Sequence, residues 1–199
     1  MTSMTSMTSN TKTSMTSAEH PVVVLLRGIN VGGNRKVPMS DLQRTLEASG
    51  CSDVTTYIQS GNAVCRAAGT NEAIEARLEP AIAATFGFHV DTVVRTAAEW
   101  AQYVSTAQFP DAASARPNLL HLALAKRPLA ASAQELLAAR CSDEERFALL
   151  DDALWIDFAG GAGRSKLTPA ALDRAAGSPV TARNWRTVER LQALLVALG

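Results

Sequence analysis

A surplus of either charge is missing from this 199-residue chain, in which 19 basic side chains stand against 19 acidic ones. A whole-molecule electrostatic grip on nucleic acid or an anionic membrane needs a basic excess, so the sequence leaves room only for a local basic patch. Cysteine is scarce and odd in number. Cys51, Cys65 and Cys141 lie far apart, which fits reduced thiols rather than a disulfide framework. The isolated His20, His89 and His121 suggest neither a Ser/His/Asp relay nor a His-rich metal site, and no cofactor is indicated. No run reaches the ~18 apolar residues of a membrane span, and the parts of a signal peptide are missing. The expectation is a soluble, cytoplasmic protein. What is present is 47% apolar residues, enough to bury a core.

Residues 1–20 repeat Met-Thr-Ser without apolar periodicity and read as a disordered low-complexity tail. From Val22 the chain becomes regular. Val22 to Leu26 is an unbroken apolar run, as in a strand covered on both faces. Ser40 and Gln43 form a capping-box pattern before a helix that Gly50 ends. Two strands then flank Gln59-Ser60-Gly61-Asn62, a hairpin reading. Thr70 or Asn71 caps a helix that Pro80 should bend and Gly87 closes, and Val90 to Arg95 is a fourth strand. This βαββαβ order is the ferredoxin-like unit. It repeats with Leu119 to Ala125, a capping box at Ser132 and Glu135, a hairpin around Asp151-Asp152, and Thr168-Pro169 opening a helix. The fold class read from this order is α+β: two tandem ferredoxin-like lobes, residues 21–95 and 119–199, joined by a linker at 96–118 with a short helix, and closed by a C-terminal helix.

Four segments carry chemistry. RGINVGGNRK places Gly28, Gly32 and Gly33 among Arg27, Arg35 and Lys36 where the first strand ends, a combination suited to a phosphate or carboxylate; an ordinary surface connection explains it too. It is not a Walker loop and contains no GxGxxG. Tyr57 to Asn62 reads as a polar hairpin tip. GGAGRSK sets Arg164, Ser165 and Lys166 before a helix N-terminus, which favours anions; a flexible solvated loop explains it nearly as well. In TARNWR, Asn184 caps the last helix, Arg183 and Arg186 face outward, and Trp185 packs. Nothing resembles the aromatic signature of an RNA-recognition sheet.

Together LLRGINVGG, TYIQSGN, GRSKLTP and TARNWRTVERL resemble the bacterial domain-of-unknown-function 1697 family, across residues 22–198. The resemblance implies a compact two-lobed α+β fold and no particular activity. It marks Arg27, Gly28, Asn30, Gly32 and Gly33, then Gln59, Ser60, Gly61 and Asn62, then Ser165 and Lys166, then Arg183, Asn184 and Trp185. Cys65 departs from the large apolar residue expected after the hairpin.

The sequence therefore supports a binder of a small anionic, phosphate-containing ligand, with Arg27, Gly28, Asn30, Gly32, Gly33, Lys36, Gln59 to Asn62, Arg164, Ser165, Lys166, Arg183 and Asn184 around it. Two alternatives stand beside it. One is an enzyme using Ser60, Ser165 or Tyr57, for which no activated nucleophile is visible; the other is a partner-binding or weak nucleic-acid-backbone module. Each sheet is expected in the order 4-1-3-2, which brings Arg27–Gly33 beside Gln59–Asn62. Residues 164–190 carry six basic and two acidic side chains, and 135–157 two basic and seven acidic. That segregation leads to the expectation that Arg164, Lys166, Arg183 and Arg186 converge, with Arg27 facing Lys166 or Arg183 across a basic pocket between the lobes.

Overall fold

The structure is a computed structural model that describes residues 18–199. In chain order the first lobe comprises β1 (His20–Leu26), α1 (Met39–Ala48), β2 (Cys51–Tyr57), β3 (Asn62–Ala67), α2 (Asn71–Phe86) and β4 (Thr92–Thr96). Helices α3 (Ala97–Ser105) and α4 (Pro110–Ala115) follow. The second lobe comprises β5 (Leu120–Ala125), α5 (Ala133–Ala138), β6 (Glu145–Leu150), β7 (Ala153–Phe158), α6 (Pro169–Ala176) and β8 (Val180–Asn184), and α7 (Trp185–Leu198) ends the chain. The sheets are antiparallel in the orders β2-β3-β1-β4 and β6-β7-β5-β8, so β1 and β5 are inner strands, as their apolar runs require.

Strand alternation divides the interior. Val22, Val24 and Leu26 point to a core beneath α1 and α2, whereas Val23 and Leu25 point to a middle core. In β5 the large Leu120, Leu122 and Leu124 enter that middle core and the small Ala123 and Ala125 lie under α6. The middle core is completed by Trp100 and Tyr103 of α3 and by Trp185, Val188, Leu191 and Leu195 of α7, with Trp100 Nε1 donating to Val188 O at 3.2 Å. It holds the lobes together as one apolar body.

The sequence signals were uneven at element ends. Thr70, Thr168 and Asn184 accept hydrogen bonds from the backbone at Ala73, Ala171 and Thr187, as N-caps do. The capping boxes expected at Ser40 and Ser132 do not form: Pro38 and Ser132 precede their helices without a side-chain cap. A capping box does form between Thr96 and Glu99 at the start of α3. The tail boundary also moves. Residues 1–17 lie outside the described residues, but His20 opens β1 and Glu19 accepts a hydrogen bond from Ser52 Oγ at 2.7 Å. The linker is largely helical, and Cys65 is fully buried against Val22 and Val24.

Candidate functional site

The glycine-rich loop is a small hairpin. Val31 and Asn34 pair across Gly32-Gly33, whose φ of 59° and 80° suit a tight turn that only glycine adopts twice in a row without strain. Asn30 fastens the loop: Nδ2 donates to Val37 O (3.0 Å) and Gln59 O (2.7 Å), and Oδ1 accepts from Val37 N (2.9 Å). Arg35 donates to His89 O and lies over the Phe88 ring, while Lys36 is exposed. The β2–β3 hairpin meets this loop as the strand order demands, with Leu26 N donating to Gly61 O at 2.8 Å. Gly61 has φ 77°, and a Cβ there would come within 2.8 Å of Leu26 Cβ. Buried Asn62 donates to Tyr57 O and Ser60 Oγ, both at 2.9 Å, locking the turn from inside.

Arg183 overturns the outward placement that the sequence suggested. It is 8% exposed and crosses from β8 into the first lobe. Its Nε donates to Asn62 Oδ1, Nη1 to Thr181 Oγ1 and Ala182 O, and Nη2 to Leu26 O, Ser60 O and Gly61 O. Every acceptor is neutral, and burial pushes the guanidinium down to about 10. The reason for the inward turn is positional: Arg183 sits opposite Leu122, whose side chain belongs to the middle core, so both point between the sheets.

Arg27 crosses in the other direction. Its Nη2 pairs with Asp173 on α6 at 2.5 Å, Nε donates to Val180 O at 3.1 Å, and Nη1 lies 3.9 Å from Asp91 without a hydrogen bond among the described residues. Arg27 and Arg183, with Gly28, Pro169, Val180, Thr181 and Ala182, line a cavity of about 270 Å³ between the lobes. Lys166 does not line it. Arg164 and Ser165 instead border a separate cavity of about 140 Å³ beside Glu144 and Glu145, Ser165 Oγ accepts from Leu167 N, and Lys166 and Arg186 are exposed. The expected convergence of Arg164, Lys166, Arg183 and Arg186 therefore does not occur. Asn184 is spent on the α7 cap, and Trp185 packs on Trp155 with ring centroids 5.6 Å apart. No His, Asp or Glu hydrogen-bonds Tyr57, Ser60 or Ser165 among the described residues, and no metal-like group of His, Cys, Asp or Glu occurs among them.

Sequence reasoning missed the counterpart of this site. Arg95 on β4 stands where Arg183 stands on β8, each one residue before the cap of the following helix. Arg95 Nη2 donates to Ala125 O, the last residue of β5, as Arg183 Nη2 donates to Leu26 O, the last of β1. Lys126 pairs with Glu79 of α2 as Arg27 pairs with Asp173 of α6, and Glu79 and Asp173 each accept from the first N–H of their lobe's last strand, Thr92 and Val180. The available signal was the likeness of VVRT to TARN, each placing Arg before a Thr or Asn cap.

These lobes and this clasp define an α+β protein of tandem four-stranded sheets. A solved structure of that architecture, the conserved bacterial protein SP0830 from Streptococcus pneumoniae, is similar over 89% of this chain and 99% of that chain, with a TM-score of 0.68 and 21% identity. No curated protein matches the chain. The chain belongs to the family described as protein of unknown function (DUF1697), whose model matches residues 20–155. That match takes in the first two segments and stops short of GGAGRSK and TARNWR.

Proposed function

We propose that the chain binds a small anionic ligand, such as a phosphorylated metabolite, in the cavity between the lobes. The observation that carries this reading is Arg183, a buried guanidinium on the cavity wall with no carboxylate beside it. A cation held only by neutral dipoles projects its field into the space next to it, and low-dielectric walls strengthen that field. Two further donors support the reading. Arg27 Nη1 is open, and Thr181, 4% exposed, accepts from Arg183 while its own hydroxyl proton has no acceptor among the described residues. We place the binder in the cytoplasm, where its thiols stay reduced.

Isothermal titration with inorganic phosphate and methyl phosphate tests this. Binding should weaken as salt rises, and Arg27→Gln should cost roughly tenfold, the value of one charge-assisted hydrogen bond. Thr181→Val should cost roughly fivefold, the value of one neutral hydrogen bond. Binding that ignores both substitutions would place the anion elsewhere.

A further inference from the structure

The first lobe contains an internal template for what the cavity takes. Glu75 lies one helical turn before Glu79 on α2, is buried, and its Oε1 accepts from Val94 N at 3.0 Å while Oε2 pairs with Arg127 at 3.1 Å. The matched pair Glu79 and Asp173 fixes the correspondence between the lobes. Four residues earlier on α6 the equivalent of Glu75 is Pro169, and after Arg27, the equivalent of Lys126, stands Gly28 in place of Arg127. Both replacements, Pro169 and Gly28, line the 270 Å³ cavity. The clasp at β8 thus lacks the carboxylate and the arginine that stand at these positions in the clasp at β4, where a smaller cavity of about 130 Å³ remains beside Arg95, Lys126 and Asp152.

The backbone donor that Glu75 serves is still there. Val180 N faces the open edge of β8, since it donates to Asp173, and the two-residue period of a strand points Ala182 N to the same edge, as Val94 N follows Thr92 N on β4. Ala182 lines the cavity and its N–H has no partner among the described residues. Resting on the reading above, we propose that the ligand presents a carboxylate or phosphate oxygen to Ala182 N–H in the place where Glu75 presents Oε1 to Val94 N–H. The natural ligand completes in the second lobe a contact that the chain makes by itself in the first. Arg27 Nη1 is the second donor, and the room left by Gly28 admits the rest of the molecule.

Pro169→Glu restores the missing carboxylate at the first position of α6, where an acidic residue suits the helix end. Without any ligand, the Ala182 amide proton should move downfield in a ¹H–¹⁵N spectrum, and phosphate and propionate should then lose at least about tenfold in affinity. Pro169→Ala should leave that resonance in place and keep both affinities within about twofold. An unmoved Ala182 amide in the folded Glu variant, or undiminished binding by it, overturns the proposal while leaving a groove that binds anions intact. If wild type binds neither probe but the Glu variant still shifts Ala182, the correspondence of the lobes stands and the ligand reading falls. Titrating phosphate and propionate separately identifies which oxyanion the site takes.

Discussion

The two lobes repeat one clasp and finish it differently. In the first, the arginine of the last strand meets a carboxylate and a phenol: Arg95 bonds Asp152 and Tyr103, and although burial alone would lower its pKa, these partners hold it above the usual value. In the second, Arg183 meets Asn62 and backbone carbonyls, and burial goes unopposed. A guanidinium pushed down to about 10 costs about 3 kcal/mol at neutral pH, and the sign follows from linkage: the folded state binds this proton less tightly, so the cost is relieved only as pH rises past the folded value. One clasp has its arginine neutralised beside a cavity of about 130 Å³, and the other keeps an arginine without a carboxylate beside a cavity of about 270 Å³. Duplicated geometry can therefore carry unequal chemistry when a few acids are exchanged for neutral residues.

The largest effect should come from breaking the closed side. Arg95→Met strands Asp152 with Tyr103 alone and should lower unfolding free energy by about 3 kcal/mol in urea denaturation. Arg183→Met strands only neutral acceptors and removes a costly charge, so it should lose about half as much. Equal losses would erase the distinction between the lobes. Next, Glu75→Ala should cost about 2 kcal/mol, because Val94 N loses its acceptor, while Pro169→Ala should change stability by less than about 1 kcal/mol.

Acid sharpens the contrast. Burial pushes the Asp157 carboxyl up, but Arg116 and Arg146 more than reverse this and hold it below the usual range, so its contribution is present above about pH 4 and disappears as pH falls through the lower folded value. Burial raises Glu75 in the first lobe, against the pull of Val94 N and Arg127, so its ionisation costs stability and protonation relieves that cost. Hydrogen exchange below about pH 4 should therefore release the β6–β7 hairpin before β1 and β4. The smallest effect compares the pairs at the strand ends. Lys126–Glu79 is more enclosed, at 11% and 15% exposure, than Arg27–Asp173 at 26% and 30%, so Glu79→Gln should cost about 2 kcal/mol and Asp173→Asn about 1 kcal/mol or less.

Much of the fold was legible in local signals. The run VVVLL, the turn QSGN and the Thr-Pro cap each point to one structure, and short connections then leave few strand orders. The site was legible only in part. Arg27 and the meeting of Asn30 with the Gln59 turn follow from strand order, but the direction of Arg183 depends on which β8 residues face the middle core, a tertiary fact. Arg95 stayed hidden because the repeat drifts: Thr70 and Thr168 are 98 residues apart, whereas Arg95 and Arg183 are 88 apart, chiefly because α2 has 16 residues and α6 has 8. The capping-box pattern holds at Thr96–Glu99 and fails at Ser40 and Ser132, because in those two helices the chain enters without the extended cap geometry at Ser that the box needs.

The anion is proposed to sit at the open clasp of β8, between the lobes, and not at the closed clasp of β4. A ¹H–¹⁵N titration of the wild-type chain with inorganic phosphate addresses it directly, because the two pockets report through different amides. Saturable shifts should appear at Gly28, Thr181 and Ala182, with Val93, Val94 and Arg127 unmoved. Shifts confined to Arg164–Lys166, or equal shifts at the two clasps, would contradict it.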